Sequence, residues 1–236
     1  MLGRLGYRIQ STRYTPKQLL DPRCSRVLDL GDVIARLMLD RGSELAFMQV
    51  GAFDGITADP LHRYISRYGW RGVMVEPQPR PAGQLRDLYK DNDRIRIIQA
   101  AVDRQRGTRT LFTVESPSAP VWAAGMASFQ REHITKHEYL IPGLTGMIRE
   151  ITVDCILFED VFAQLDSPRV DLLQIDAEGA DAFLLSLFPF DRVKPAIIHW
   201  EVKNLSLAER EACLGQLSGL GYRFASSGDE DMIAAL

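Results

Sequence analysis

The stretch FMQVGAFDGITADPLHRYISRYGWRGVMVE, residues 47–76, decides the fold class. An apolar run over residues 45–50 breaks into a glycine-punctuated turn, Gly51-Ala52-Phe53-Asp54-Gly55, and a second run, 72–75, stops at Glu76. Between them Asp59 and Pro60 read as an N-cap and the first helical position; Leu61, Tyr64, Ile65 and Tyr68 share a face, and Gly69 ends the helix. A strand, a turn with room for a ligand, a helix, and a strand ending in a carboxylate describe a nucleoside-binding unit, the acid accepting from ribose hydroxyls. The plainer alternative is an ordinary strand-turn-helix with an incidental glutamate.

Working outward, residues 1–27 are polar, broken by Pro16 and Pro22, and read as an irregular leader. Leu30, Val33, Ile34, Leu37 and Met38 follow a helical period up to Gly42, so residues 1–45 form a leader and helix ahead of a domain over 46–236. Downstream, Pro79 and Pro81 open a helix through Leu85, Leu88 and Tyr89, and IRIIQAAV (95–102) is a third strand, ended by Asp103. Residues 109–114 alternate as an added strand. Ile151-Thr152-Val153, a helix through Phe158, Val161, Phe162 and Leu165, and the apolar strand VDLLQI (170–175) follow. A helix through Phe183, Leu184 and Leu187 leads to a strand over 196–200. Ser206 and Glu209 have capping-box spacing at the start of the last helix, closed by Gly221, and residues 222–225 and 232–236 are set for a final hairpin. Strands alternating with helices require crossovers, which predicts an α/β fold with a mostly parallel sheet.

Residues 115–147 break that pattern, with Pro117, Pro120 and Pro142, separated aromatics at Trp122, Phe129 and Tyr139, and no sustained period. So long an insertion reads as a functional loop or lid facing the substrate. Trp122, Met126, Ser128 and Phe129 are its candidate acceptor-pocket residues, loop packing being the alternative.

Composition bounds the function. The 236 residues are 46% hydrophobic and 25% charged, as in an ordinary globular protein. A net charge of −3 argues against a general nucleic-acid or membrane-surface binder, and no stretch has the roughly 18 apolar residues of a span. Cys24, Cys155 and Cys213 are far apart and lack metal-ligand spacing, which suits a reducing compartment and predicts a cytoplasmic protein. His133 and His137 are four apart, but no third ligand is near, so an exposed helical turn is expected rather than a zinc site. Nothing in the sequence indicates an oligomeric state.

The chemistry gathers where strands end: Gln49 and Gly51, Glu76, Ala101 and Asp103, Asp176 and Glu178, His199 and Glu201. In an open parallel sheet this edge holds the ligand. An NAD(P)-dependent oxidoreductase needs three glycines spaced Gly-x-Gly-x-x-Gly, and this turn has only Gly51 and Gly55, with Asp54 beside the second. A carboxylate there repels a pyrophosphate but suits a sulfonium or amino group, which points to S-adenosylmethionine. A catalytically inactive nucleoside-binding module is the reading from another class. Transfer to a hydroxyl needs a base, for which Asp176, Glu178, His199 and Glu201 are candidates and Asp176 or His199 favoured. His199 has the competing reading of a core histidine bonded to a neighbouring strand. Asp176, Glu178 and Glu201 also form a possible Mg²⁺ set, though grouped acids equally hold ligand ammonium and hydroxyl groups.

QVGAFDG, Asp59-Pro60-Leu61, VEPQP, AAVD, LLQIDAEG and IIHWE, in this order and spacing, resemble the FkbM family of methyltransferases from about Phe47 onward. The resemblance implies a Rossmann-like, seven-stranded class I methyltransferase fold with a final antiparallel strand. It also implies O-methylation of a hydroxyl on a sugar, glycan or polyketide-type acceptor. By position, Gly51, Ala52 and Gly55 cradle the methionine part, with Gln49 and Asp54 beside them. Glu76 holds the ribose with Pro77 after it, Ala101 and Val102 lie against the adenine with Asp103 close by, and Asp176 completes the set. Two positions depart from the pattern: Gln49 stands where an acid is usual, and Gln174 where the family commonly has lysine before Ile-Asp. By strand alternation Gln174 shares a face with Asp176, so a cation favouring the ionised acid is missing there.

Overall fold

The computed structural model describes residues 27–236; the leader reading falls outside them except at Val27, which bridges to Ser226. The first half runs α1 (Leu30–Arg41), β1 (Ala46–Val50), α2 (His62–Tyr68), β2 (Arg71–Val75), α3 (Pro79–Leu88), β3 (Ile95–Ile98), β4 (Ala101–Val102) and β5 (Gly107–Val114). A 3₁₀ turn (Val121–Gly125), α4 (Arg131–Thr135), α5 (Leu144–Met147) and β6 (Ile148–Ile156) come next. The chain closes with α6 (Phe158–Phe162), β7 (Leu172–Ile175), α7 (Asp181–Leu187), β8 (Ile197–Glu201), α8 (Leu207–Gly219), β9 (Arg223–Ser227) and β10 (Asp231–Ala235).

Seven strands form one sheet in the order β3-β2-β1-β7-β8-β10-β9, with β10 antiparallel to both neighbours, as the resemblance implies. Helices cover both faces, which is why the central strands are apolar throughout rather than alternating. Met48, Val50, Val73, Val75, Leu173, Ile175 and Trp200 belong to one core. Phe47, Met74, Leu172 and Ile197 pack in the other, with Leu30 and Ile34 of α1. From β1 the chain builds outward through β2 and β3, then returns to lay β7 on the other side of β1. That reversal leaves a crevice beyond the carboxyl ends of β1 and β7. Among the described residues no helix is long and apolar enough to cross a membrane.

The third apolar run is not one strand. β3 stops at Ile98, whose carbonyl accepts the Glu76 N–H, and Ala101 and Val102 join β6 in a second sheet ordered β4-β6-β5. With β2 ended at Val75, the continuing chain has no partner in the main sheet. Pro60 also lies outside its helix: α2 starts at His62, and Asp59 Oδ1 accepts the N–H groups of Leu61 (2.6 Å) and His62 (3.0 Å) from just ahead of it. The added strand is longer than expected (Gly107–Val114), β6 starts at Ile148, and α6 ends at Phe162 rather than Leu165.

Residues 115–147 are not irregular either. Their short helical segments close over a core of their own, including Ala123, Met126, Ile134, Ile141 and Leu144, continuous with Val114 of β5 and Ile148 of β6. Helices of four or five residues are too short to show a period.

Asp171, fully buried just before β7, ties these pieces together. It accepts from the Ala46 N–H (2.9 Å), Arg41 Nη1 (2.8 Å) and Arg169 Nε (3.0 Å), joining α1 to the first residues of β1 and β7. Both arginines are nearly half exposed, so screening weakens the ionic part, and the buried N–H dominates. Asp171→Ala is expected to cost about 2–3 kcal/mol in a denaturant titration, as for a charged hydrogen bond whose buried donor is left unsatisfied; an unchanged midpoint contradicts this.

Candidate active site

A cavity of about 260 Å³ opens at the switch point. The turn after β1 contributes Gly51, Phe53, Thr57 and Ala58, and the end of β2 contributes Glu76, Pro77 and Gln78. Ala101 and Val102 wall one side; Trp122, Met126, Ser128, Phe129 and His137 cover it from the insertion; Asp176, Glu178 and Lys203 form the far side.

The backbone is strained here and almost nowhere else. Phe53, Ala58 and Glu178 are the non-glycine residues with positive φ among those described (46°, 56° and 48°), and all three line the cavity. Such conformations cost on the order of 1 kcal/mol or more each and persist where packing over-determines them, typically at ligand sites. Gly51 (φ 81°) is constrained twice over, because a Cβ there collides with the Asp176 carbonyl oxygen. The turn after β1 thus presses against the end of β7, and only glycine permits it.

Glu76 is 3% exposed and faces the cavity. Oε2 accepts the Phe53 N–H (2.8 Å) and Oε1 the Gln78 N–H (2.9 Å), so each oxygen is aimed by one backbone donor and keeps a lone pair for a ligand hydroxyl. Burial pushes its pKa up to about 7.

On the far side, oxygens of Asp176, Glu178 and Glu201 lie within 4.8 Å of one another. Lys203 Nζ is 2.5 Å from Glu201 Oε1, and Asn204 Nδ2 donates to Glu201 Oε2 (2.7 Å) and Glu178 Oε2 (3.0 Å). The Asp176 carboxylate has no hydrogen-bond partner among the described residues and is open to the cavity. Burial and crowding raise the acids here. Burial and Glu201 lift Glu178 to about 7 and Asp181, under the turn after β7, to about 8; Asp176 rises well above the usual range for the same reasons. Lys203 is pulled down by its own burial, but Glu178 and Glu201 outweigh that and raise it. A Mg²⁺ ion needs free carboxylate oxygens around an octahedral centre. Here an ammonium is paired with Glu201 and an amide is bonded to Glu201 and Glu178.

Other sequence candidates take supporting places. Gln49 does not line the cavity; its Nε2 donates to Asp59 Oδ2 (3.2 Å), tying β1 to the turn that starts α2. Asp54 braces the turn, accepting from Ile56 N–H (2.9 Å), Thr57 N–H (2.7 Å) and Thr57 Oγ1 (2.7 Å). Ala52 is buried in the core, and Gly55 abuts Leu85. Asp103 pairs with Arg109 (2.7 Å), whose guanidinium lies over Phe129. His199, one of the two favoured bases, is inside the sheet: Nδ1 donates to Gln174 Oε1 (2.7 Å) on β7, Nε2 is 3.8 Å from Asp231 Oδ2, and burial lowers its pKa to about 4. That is the bonded core histidine of the competing reading.

Lys203 is a lining residue that went unread in the sequence; it stands two residues after Glu201, in the turn that follows β8. The exposed-turn reading of His133 and His137 is overturned, because the insertion folds back onto the end of β7. His133 Nδ1 lies 3.2 Å from the Glu178 carbonyl oxygen, and His137 reaches the cavity with its Nδ1 buried and unpartnered.

The raised acids set a pH dependence. Their stabilising contribution is complete below their unfolded values near 4 and is lost as pH climbs through 7 to 8. His199, lowered from 6.5, acts oppositely, but only below 6.5. From pH 6.5 to 8 the acids act alone, so Tm of the ligand-free protein is expected to fall across that interval. A flat or rising Tm contradicts the buried placement of Glu76 and Asp181.

No curated protein matches the chain in sequence. Among solved structures, the METTL16 methyltransferase domain is similar at 9% identity and TM-score 0.48, over 86% of this chain and 65% of that one. Cofactor-bound Rv0187 from MTB is similar at 13% identity and TM-score 0.43, over 93% and 85% of the two chains. Methyltransferase FkbM from Methylobacillus flagellatus KT gives 12% identity and TM-score 0.46, over 81% of this chain and 44% of that one. This chain thus spans just under two thirds of the METTL16 domain and less than half of the FkbM structure. The family model described as "Methyltransferase FkbM domain" matches residues 49–224, most of the chain. The chain belongs to the FkbM methyltransferase domain family.

Proposed function

We propose that the protein is an S-adenosylmethionine-dependent O-methyltransferase acting on a hydroxyl of a sugar, glycan or polyketide-type acceptor. The observation that carries this is charge. Glu76, Asp176 and Glu178 face the cavity and Lys203 alone opposes them from its wall, so the site retains negative charge when the acids ionise. A donor with a sulfonium and an ammonium group relieves that charge, whereas the pyrophosphate of a nicotinamide dinucleotide adds to it. The inactive-module reading is disfavoured by Asp176, a cavity-facing carboxylate bound to nothing.

When bound, the cofactor supplies an activated methyl group for in-line displacement by the acceptor oxygen. Glu76 takes the ribose hydroxyls on its free lone pairs, with Ala101 and Val102 as apolar walls for the adenine. Asp176 receives the acceptor's proton, its raised pKa matching the task better than that of His199. The insertion over 115–147 serves as the lid, with Trp122, Met126, Ser128 and Phe129 contacting the acceptor. A cytoplasmic location goes with this reading, in keeping with the free thiols of Cys155 and Cys213.

Calorimetric titration with S-adenosylmethionine, S-adenosylhomocysteine and NAD tests the class: binding of NAD alone rules the proposal out. Glu76→Ala is expected to weaken S-adenosylhomocysteine binding about tenfold to a hundredfold, the worth of hydrogen bonds to a charged group. Asp176→Asn is expected to lower methyl transfer to a panel of hydroxyl acceptors on the order of a hundredfold, a larger loss than that in S-adenosylhomocysteine affinity. An unchanged affinity in the first variant contradicts the ribose assignment.

A further inference from the structure

We infer that Lys203 is a built-in cation of the acceptor side: its ammonium pairs with Glu201 at the edge of the cluster of Asp176, Glu178 and Glu201, and together with the Asn204 amide it takes carboxylate oxygens that a divalent metal would need, which keeps that cluster metal-free. The three acids come from two strand ends, and their oxygens are close enough to share one ion. Lys203 follows β8 by two residues, in a turn where the N–H groups of Val202 and Lys203 both donate to the Glu230 carbonyl. Its Nζ is 2.5 Å from Glu201 Oε1 and 3.6 Å from Glu230 Oε2, and the side chain is one-third exposed, toward the cavity. Asn204 spans Glu178 and Glu201 from the other side and accepts from Lys136, which binds the insertion to the same cluster.

This also accounts for Gln174. Its amide is committed to His199 and to the Ile175 carbonyl within the sheet, so it supplies no charge at Asp176. The cation that the fourth strand lacks enters instead from the end of the fifth. An ammonium has three N–H groups; Glu201 takes one and Glu230 lies at ion-pair distance, so one remains for an oxygen in the cavity. Lys203 is therefore a positioning residue: it holds the cluster's geometry and offers that donor to the acceptor.

The test uses Mn²⁺ alone as probe, followed by the loss of the free-ion paramagnetic resonance signal. The unaltered protein is expected to bind no Mn²⁺ below millimolar concentration at this cluster. Lys203→Ala is expected to bind it at least about tenfold more tightly, because three carboxylates lose their internal counter-ion. Glu201→Gln added to that variant should abolish the gain, and Lys203→Arg should still exclude the ion. The inference is overturned if the unaltered protein binds Mn²⁺ tightly and Glu201→Gln removes that binding, a result that decides even if Lys203→Ala fails to fold. It is equally overturned if a folded Lys203→Ala binds no better than the parent. S-adenosylhomocysteine affinity, measured on the same proteins, reports on the cofactor side, and its absence in the parent refutes the proposed function while leaving the metal result to stand.

Discussion

Too many carboxylates share one ammonium at the carboxyl edge of this sheet. Asp176, Glu178, Asp181 and Glu201 act on one another, and Lys203 pairs with Glu201 at their edge. Like charges so close together oppose one another's ionisation unless a ligand compensates them. The edge is therefore a place of stored electrostatic cost, relieved by protonation when empty and by a cationic ligand when filled. The pH response and the proposed preference for a sulfonium over a pyrophosphate both descend from that imbalance.

The fold maintains this arrangement by allowing no slack around it. β1 and β7 lie side by side in register, Gln49 opposite Gln174, so the turn after β1 and the end of β7 meet at once. Gly51 permits the contact, and Phe53 and Glu178 accept left-handed backbone on either side of it. Fixed in this way, Phe53 N–H aims Glu76 and the Glu178 carbonyl receives His133 from the insertion. The backbone thus links the nucleoside side of the cavity to the acceptor side.

Much of this was legible in the sequence. Strands buried on both faces leave continuous apolar runs, and those of β2, β7 and β8 each stop at an acid while that of β1 stops at Gly51, so the edge that carries the chemistry could be read directly. Caps were equally plain: Ser206 and Glu209 form the reciprocal box, and Gly42 and Gly69 end their helices. What escaped was whatever depends on tertiary partners. The break between Ile98 and Ala101 exists because β2 has ended and β6 stands ready, and nothing in IRIIQAAV records that. The insertion's helices are below the length at which periodicity shows. Lys203 and His137 are ordinary residues in sequence, made significant by the strand end and the folded-back insertion that place them. Gln49 and His199 look catalytic by position yet hydrogen-bond inward, to Asp59 and Gln174, and support the edge from below.

The most direct test of the central claim is the crystal structure of the protein with S-adenosylhomocysteine bound. The account requires the nucleoside at the carboxyl ends of β1 and β2, with its ribose hydroxyls within hydrogen-bonding distance of both Glu76 oxygens, and its ammonium group toward the acids that follow β7. A nucleoside bound elsewhere, or one in this cavity with its ribose turned away from Glu76, contradicts it.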